Sequence, residues 1–157
     1  MALAEHLQSD LIFPQQNIKN RKHLLRFACQ QITLKYHQLD AEQLIIELMK
    51  REKLGNTGIG EGIAIPHCRL PKIDTIDEEL IIVFISSQSA FDYNAFDQKP
   101  VNLIFVLFAL GNNQRLHIEL LSSIAKMASS EKVRQQLTAS RTAASVLNIL
   151  SNNNHHG

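Results

Sequence analysis

Over residues 21–37, Leu24, Leu25, Ala28, Ile32 and Tyr36 recur at intervals of three and four, so they fall on one side of a helix. The pattern predicts a first amphipathic helix with one buried face. A second start signal follows at once: Asp40 is a good N-cap, Gln43 holds the capping-box position, and Leu39 and Leu44 can form a hydrophobic staple. This helix would bury Leu44, Ile45, Leu48 and Met49, turn Glu47, Lys50 and Arg51 toward its edge or the solvent, and stop at Gly55. Ile63 and Ile65 then alternate with Gly62 and Ala64 as a short strand would, and Pro66 ends it immediately before His67. Residues 80–85 and 101–110 are continuous apolar runs rich in β-branched side chains, which predict strands buried on both faces, joined by a polar connection over 92–100. Helical spacing returns over 116–127 with Leu120, Leu121, Ile124 and Ala128, and Thr142 can cap a last helix carrying Val146, Leu147 and Leu150. Helices interleaved with buried strands indicate an α/β class, with helices covering a mixed sheet. No internal repeat is visible.

With 157 residues, of which 45% are hydrophobic and 20% charged, the chain has the size and composition of one globular domain, expected over residues 1–150 with a polar tail at 151–157. Sixteen basic and fifteen acidic residues leave a net charge of +1, no field for gripping nucleic acid or anionic lipid. The longest wholly apolar run, 103–110, is far below the roughly 18 residues a bilayer span needs. Glu5 and Asp10 stand where a secretory signal would be basic and then apolar. Two cysteines, Cys29 and Cys68, are too few for a disulfide framework and too distant for a metal-type pair. A cytoplasmic protein is expected, without membrane insertion or nucleic-acid partner.

Four of the six glycines, Gly55, Gly58, Gly60 and Gly62, lie within residues 55–62. This loop is not a P-loop, because Glu61 and Gly62 follow Gly60 where a lysine and a hydroxyl residue belong. Nor is it a dinucleotide fingerprint, because Ile63 takes the place of the third glycine. A tight connection from helix to strand explains the cluster on its own. His67 comes directly after it. A neutral imidazole with one nitrogen fixed by a hydrogen bond and the other lone pair open is what a phosphoryl-accepting nucleophile requires. Loop amides could surround a phosphoryl group there, with Arg51 supplying charge and Thr57 a hydroxyl. His117 shares a helix face with Leu120, Leu121 and Ile124, as a core-edge histidine would. A zinc set of His67, Cys68 and His117 suffers from adjacent ligands and lacks a fourth donor, so no metal is expected. A Cys68 nucleophile has no positioned base.

The string REKLGNTGIGEGIAIPH, residues 51–67, resembles the phosphorylation-site signature of the fructose, mannitol and nitrogen-regulatory class of enzyme IIA in the phosphoenolpyruvate-dependent phosphotransferase system. The resemblance extends over about residues 10–150, including Lys99-Pro100-Val101 at the start of the apolar strand and His117-Ile118-Glu119-Leu120-Leu121. It implies a mixed five-stranded sheet flanked by helices. It also implies phosphorylation of His67 at Nε2 by an HPr-type phosphocarrier, with Arg51 and His117 around the phosphoryl group; Thr57, Gly58, Gly60 and Gly62 are the phosphoryl-binding candidates that the glycine loop itself offers. No cofactor is implied. The free-standing chain is most similar to the nitrogen-regulatory branch, which implies a regulator of cytoplasmic or membrane-associated target proteins, a phosphotransferase-system component rather than a free-standing catalyst. A fructose-type subunit handing phosphate to a separate IIB protein is the alternative within the class; an anion-sensing module without covalent chemistry and a zinc hydrolase are the alternatives outside it. Cys68 departs from the usual small residue and Asn56 from the usual serine, and the segment before the first helix is short.

Overall fold

Two apolar runs of the sequence lie side by side at the centre of the molecule. The computed structural model describes residues 3–153. After two 3-10 turns, Leu3–His6 and Ser9–Leu11, its elements in chain order are β1 (Ile12–Gln16), α1 (Arg21–Lys35), α2 (Ala41–Leu54), β2 (Gly58–Gly60), β3 (Ile63–Ala64), β4 (His67–Leu70), β5 (Leu80–Phe91), β6 (Val101–Leu110), α3 (Gln114–Ala128), α4 (Glu131–Ala139) and α5 (Ala143–Asn153). β5 and β6 pair antiparallel from Leu80↔Ala109 to Phe91↔Val101. β1 adds parallel to the outer edge of β5. The other edge of β6 is shared: β3 takes its first half, with Ile63↔Leu103, and β4 its second, from His67↔Leu107 to Leu70↔Leu110, both parallel. β2 closes the sheet antiparallel to β3.

The sheet is therefore mixed, and its six strands occupy five rows, because β3 and β4 are two pieces of one row. Pro66 causes the interruption, having no amide hydrogen to donate. The neighbouring groups are still satisfied: the Ile65 amide donates to Thr57 O at 2.9 Å, and Pro66 O accepts from the Leu107 amide at 2.9 Å. His67 opens the second piece.

Alternation along the strands sorts side chains into two cores. On one face Ile81, Val83, Ile85, Ile104, Val106 and Phe108 pack under α1 and α2, with Cys68 and Leu70 of β4. On the other, Ile82, Phe84, Leu103, Phe105 and Leu107 pack under α3, α4 and α5. The expected caps form: Asp40 Oδ2 accepts the Gln43 amide at 3.0 Å and Thr142 Oγ1 the Ser145 amide at 3.1 Å. The helical and apolar runs of the sequence hold their places, while β1, β2, β4 and α4 are additions to them. β1 contains Pro14, tolerable because this is an edge strand. Of the polar tail expected at 151–157, residues 151–153 complete α5, and 154–157, with His155 and His156, lie outside the described residues. Among the described residues no helix is long and apolar enough to cross a membrane.

Candidate functional site

His67 projects from β4 on the face opposite Cys68, so the strand's alternation separates these sequence neighbours. Its Nδ1 lies 2.8 Å from Ile65 O. A carbonyl only accepts, so Nδ1 carries the proton and Nε2 keeps its lone pair. That lone pair accepts from Arg51 Nε at 3.2 Å, while Arg51 Nη1 donates to Gly55 O at 2.8 Å. The end of α2 thus aims a guanidinium anchored on its own C-terminal carbonyl. His117, buried on α3, sets its ring edge-on to His67 with centroids 5.2 Å apart. Its Nε2 is sealed from solvent and has no hydrogen-bond partner.

Both imidazoles are held neutral. Burial lowers the His67 pKa and Arg51 and Arg69 lower it further, while the Ile65 hydrogen bond and the Glu52 charge oppose them. His117 is pushed down to about 4, first by burial and then by His67, Arg69 and Arg51. A neutral pair beside fixed guanidinium charge suits an incoming anion.

Next to His67 is a cleft of about 450 Å³, lined by Arg51, Thr57, Gly60, Glu61 and Ile65 on one side and by Leu121, Ala125 and Ala128 of α3 on the other. β2 and β3 form a hairpin over its wall; Glu61 and Gly62 at the tip have φ of 57° and 80°, as a two-residue hairpin turn demands. Gly58 is needed for close approach, since a Cβ there would stand 2.6 Å from Ala95 Cβ. Asn56 ties the loop down: Oδ1 accepts the Gly58 amide at 2.7 Å and Nδ2 donates to Tyr93 O at 2.8 Å. Of the expected phosphoryl-binding residues, Thr57 and Gly60 line the cleft, and Gly58 and Gly62 shape the hairpin behind it.

A carboxylate that the sequence pattern does not single out stands beneath this loop. Glu52, with a side chain 2% exposed, accepts from the Thr57 hydroxyl, from the Thr57 amide at 3.3 Å and from the Tyr93 hydroxyl at 2.7 Å; Arg21 Nη1 is 3.5 Å away. The signal was its spacing, because Leu44, Leu48 and Glu52 follow one another at intervals of four on the buried stripe. The hydroxyl proton of Thr57 is therefore engaged by Glu52. Among the described residues no group of three or more His, Cys, Asp or Glu could hold a metal ion, and Cys68 on the opposite face cannot join His67 and His117 around one.

The sequence model of the family described as phosphoenolpyruvate-dependent sugar phosphotransferase system, EIIA 2, matches residues 5–153. The chain is 38% identical over 109 residues to the nitrogen regulatory protein homolog of Haemophilus influenzae, a match covering 69% of this chain and 65% of that protein, just under two thirds of its length. It is 30% identical over 154 residues to the nitrogen regulatory protein of Bradyrhizobium diazoefficiens, covering 96% and 95% of the two chains. The crystal structure of nitrogen regulatory protein IIA-Ntr from Neisseria meningitidis is similar with a TM-score of 0.85 and 31% identity, covering 94% of this chain and 98% of that one.

Proposed function

Because the chain belongs to the EIIA 2 family of the phosphoenolpyruvate-dependent sugar phosphotransferase system, we propose that it is a phosphohistidine carrier that takes a phosphoryl group on Nε2 of His67 from an HPr-type phosphocarrier protein. In its two phosphorylation states it then regulates cytoplasmic or membrane-associated target proteins. The observation that carries the first part is the fixed tautomer of His67: with Nδ1–H bound to Ile65 O, only Nε2 offers a lone pair. In the transfer step the donor's phosphorus–nitrogen bond breaks as the bond from phosphorus to Nε2 forms. The electron pair of the broken bond stays on the donor imidazole, and the Nδ1 proton of His67 stays where it is. Arg51 must leave the Nε2 lone pair as the phosphoryl group arrives, and its fork then meets two phosphoryl oxygens. His117 supports the group through its unpartnered Nε2, in the tautomer that donates. Thr57, Gly58, Gly60 and Gly62 supply the wall behind the oxygens. The donor is already an activated phosphohistidine, so alignment and charge neutralisation carry the step, and no cofactor is invoked.

Likeness to nitrogen regulatory proteins supports the regulatory half. Roughly two added negative charges change which partner surface fits beside the two neutral imidazoles and the Arg51 guanidinium. The test is incubation with phosphoenolpyruvate, enzyme I and an HPr-type protein, followed by intact mass measurement. One acid-labile, base-stable phosphoryl group is expected on the parent and none on His67→Ala; equal labelling of both would remove His67 as the acceptor. Pull-downs with the two phosphorylation states, beside sugar-uptake assays of a deletion strain, separate a regulator from a subunit that passes phosphate to a IIB protein.

A further inference from the structure

In the antiparallel pairing of β2 and β3, Gly58 stands opposite Ala64, so Thr57 stands opposite Ile65 as the next pair out. Residues of a hydrogen-bonded antiparallel pair exchange two bonds, each amide donating to the other's carbonyl. Here only one forms: Ile65 N donates to Thr57 O at 2.9 Å. The Thr57 amide turns to Glu52 Oε2 instead, and Ile65 O takes the Nδ1–H of His67. The missing ladder bond and the fixed imidazole are thus one arrangement, and Glu52 is the group that diverts the amide.

A carboxylate is costly at this depth, and packed apolar side chains often replace buried ion pairs without loss of stability. Leucine would continue the stripe of Leu44 and Leu48. Glu52 instead gathers Thr57, from the loop that walls the cleft, and Tyr93, from the segment between β5 and β6, with Arg21 as its cation.

We propose that Glu52 is a positioning residue for phosphoryl transfer: by holding the Thr57 amide and hydroxyl it keeps Ile65 O available to His67, and so sets the tautomer that presents Nε2. Arg51 depends on the same clamp, because its guanidinium is aimed by Gly55 O at the start of the loop that Glu52 holds. The inference rests on the carrier reading for its kinetic consequence and stands apart from it for the tautomer. The charge of Glu52 also reaches the imidazole, acting to raise the His67 pKa against Arg51 of α2 and Arg69 of β4, while His117 faces it from α3.

The experiment compares the full chain with Glu52→Gln, Glu52→Leu and Glu52→Asp by 15N NMR of His67 and by the initial rate of transfer from a phosphorylated HPr-type protein. In the parent, His67 is expected as the Nδ1–H tautomer. In the Leu variant, which offers no acceptor, the Thr57 amide returns to Ile65 O and competes with the imidazole, while Gln keeps one acceptor oxygen without the charge. The tautomers then mix in the Leu variant, the His67 pKa falls in the Gln variant, and transfer slows by up to about a hundredfold. Asp, which keeps the charge, should restore part of the rate. A parent tautomer together with a parent rate in both the Gln and Leu variants overturns the proposal. If neither variant folds, Tyr93→Phe and Thr57→Val decide, each removing one donor to Glu52: slowed transfer supports the clamp, and unchanged rates in both overturn it. If the parent takes no label, the carrier reading falls, and the tautomer alone still tests Glu52.

Discussion

Replacing Arg51 by alanine separates the cost to the fold from the cost to phosphoryl transfer. Two contacts disappear: Nε to His67 Nε2 at 3.2 Å and Nη1 to Gly55 O at 2.8 Å. Neither belongs to the core, which α2 enters through Leu44 and Leu48. A hydrogen bond from a charged donor is worth about 1.5–3 kcal/mol when fully buried, and Arg51 is half-buried, so a loss of about 1–2 kcal/mol in stability is expected. Transfer loses more. A donor aimed at developing charge is worth about 2.7–4 kcal/mol in rate, or 10²–10³-fold, and the guanidinium offers two such donors to separate oxygens. Phosphoryl transfer to Arg51→Ala should therefore slow by at least about a hundredfold while the protein remains folded. Lysine, keeping charge without the fork, should fall between.

The same substitution has a pH signature. Arg51 lowers the pKa of both His67 and His117, so its removal raises both. In the proposed carrier reaction the neutral imidazole is the nucleophile, so transfer is lost as pH falls through its pKa. The acid limb of the rate profile should therefore move to higher pH in Arg51→Ala. Rapid-quench measurement of label on the protein across pH gives rate and limb together. An alanine variant as fast as the parent, with an unmoved limb, would refute the claim that this guanidinium faces the reacting nitrogen.

The remaining expectations concern the surroundings of the site. Burial pushes the His117 pKa down to about 4 from an ordinary 6.5, so between these values the unfolded state binds a proton that the folded state refuses; stability should fall as pH drops from 6.5 toward 4, and His117→Gln should flatten this slope in urea titrations. Gly58→Ala should cost about 1–3 kcal/mol and slow transfer, because the new methyl meets Ala95 Cβ at 2.6 Å; adding Ala95→Gly should recover part of both, and no recovery would mean that the collision is not the cause. Phe84→Ala, removing half of a pair with Phe105 at 5.2 Å, should cost about 3–5 kcal/mol by chemical denaturation and leave the labelling of His67 in place.

Elements that bury a periodic or continuous apolar stripe were legible in the sequence. α1, α2, α3 and α5 each carry such a stripe, and the runs at β5 and β6 could only be satisfied between two helical layers. Elements that bury little by themselves were not. β1 reads IFPQQ and β4 reads HCRL, and each becomes a strand only because a long apolar neighbour offers its edge. α4, with Val133 and Leu137 as its buried residues, is short enough that its Ser130 cap and two anchors do not stand out from a loop.

The site divides along the same line. His67 and Arg51 stand out in the sequence because an imidazole and a guanidinium flank one short glycine cluster, and the structure brings the two side chains within 3.2 Å. His117 was legible as a helix-face residue, and its orphaned Nε2 is visible only in three dimensions. Glu52 was hidden by its own position, since a charged residue next to Arg51 and Lys53 reads as part of a solvated helix end, whereas the spacing from Leu48 carries it inward. The sequence offers Thr57 for its hydroxyl, which pairs with Glu52, whereas its amide also goes to Glu52 while Ile65 O takes the Nδ1–H of His67. A backbone group withheld from a ladder leaves no mark in composition or periodicity. In the proposed clamp that withheld bond leaves Ile65 O to the Nδ1–H of His67, so a group one row of the sheet away helps to present Nε2.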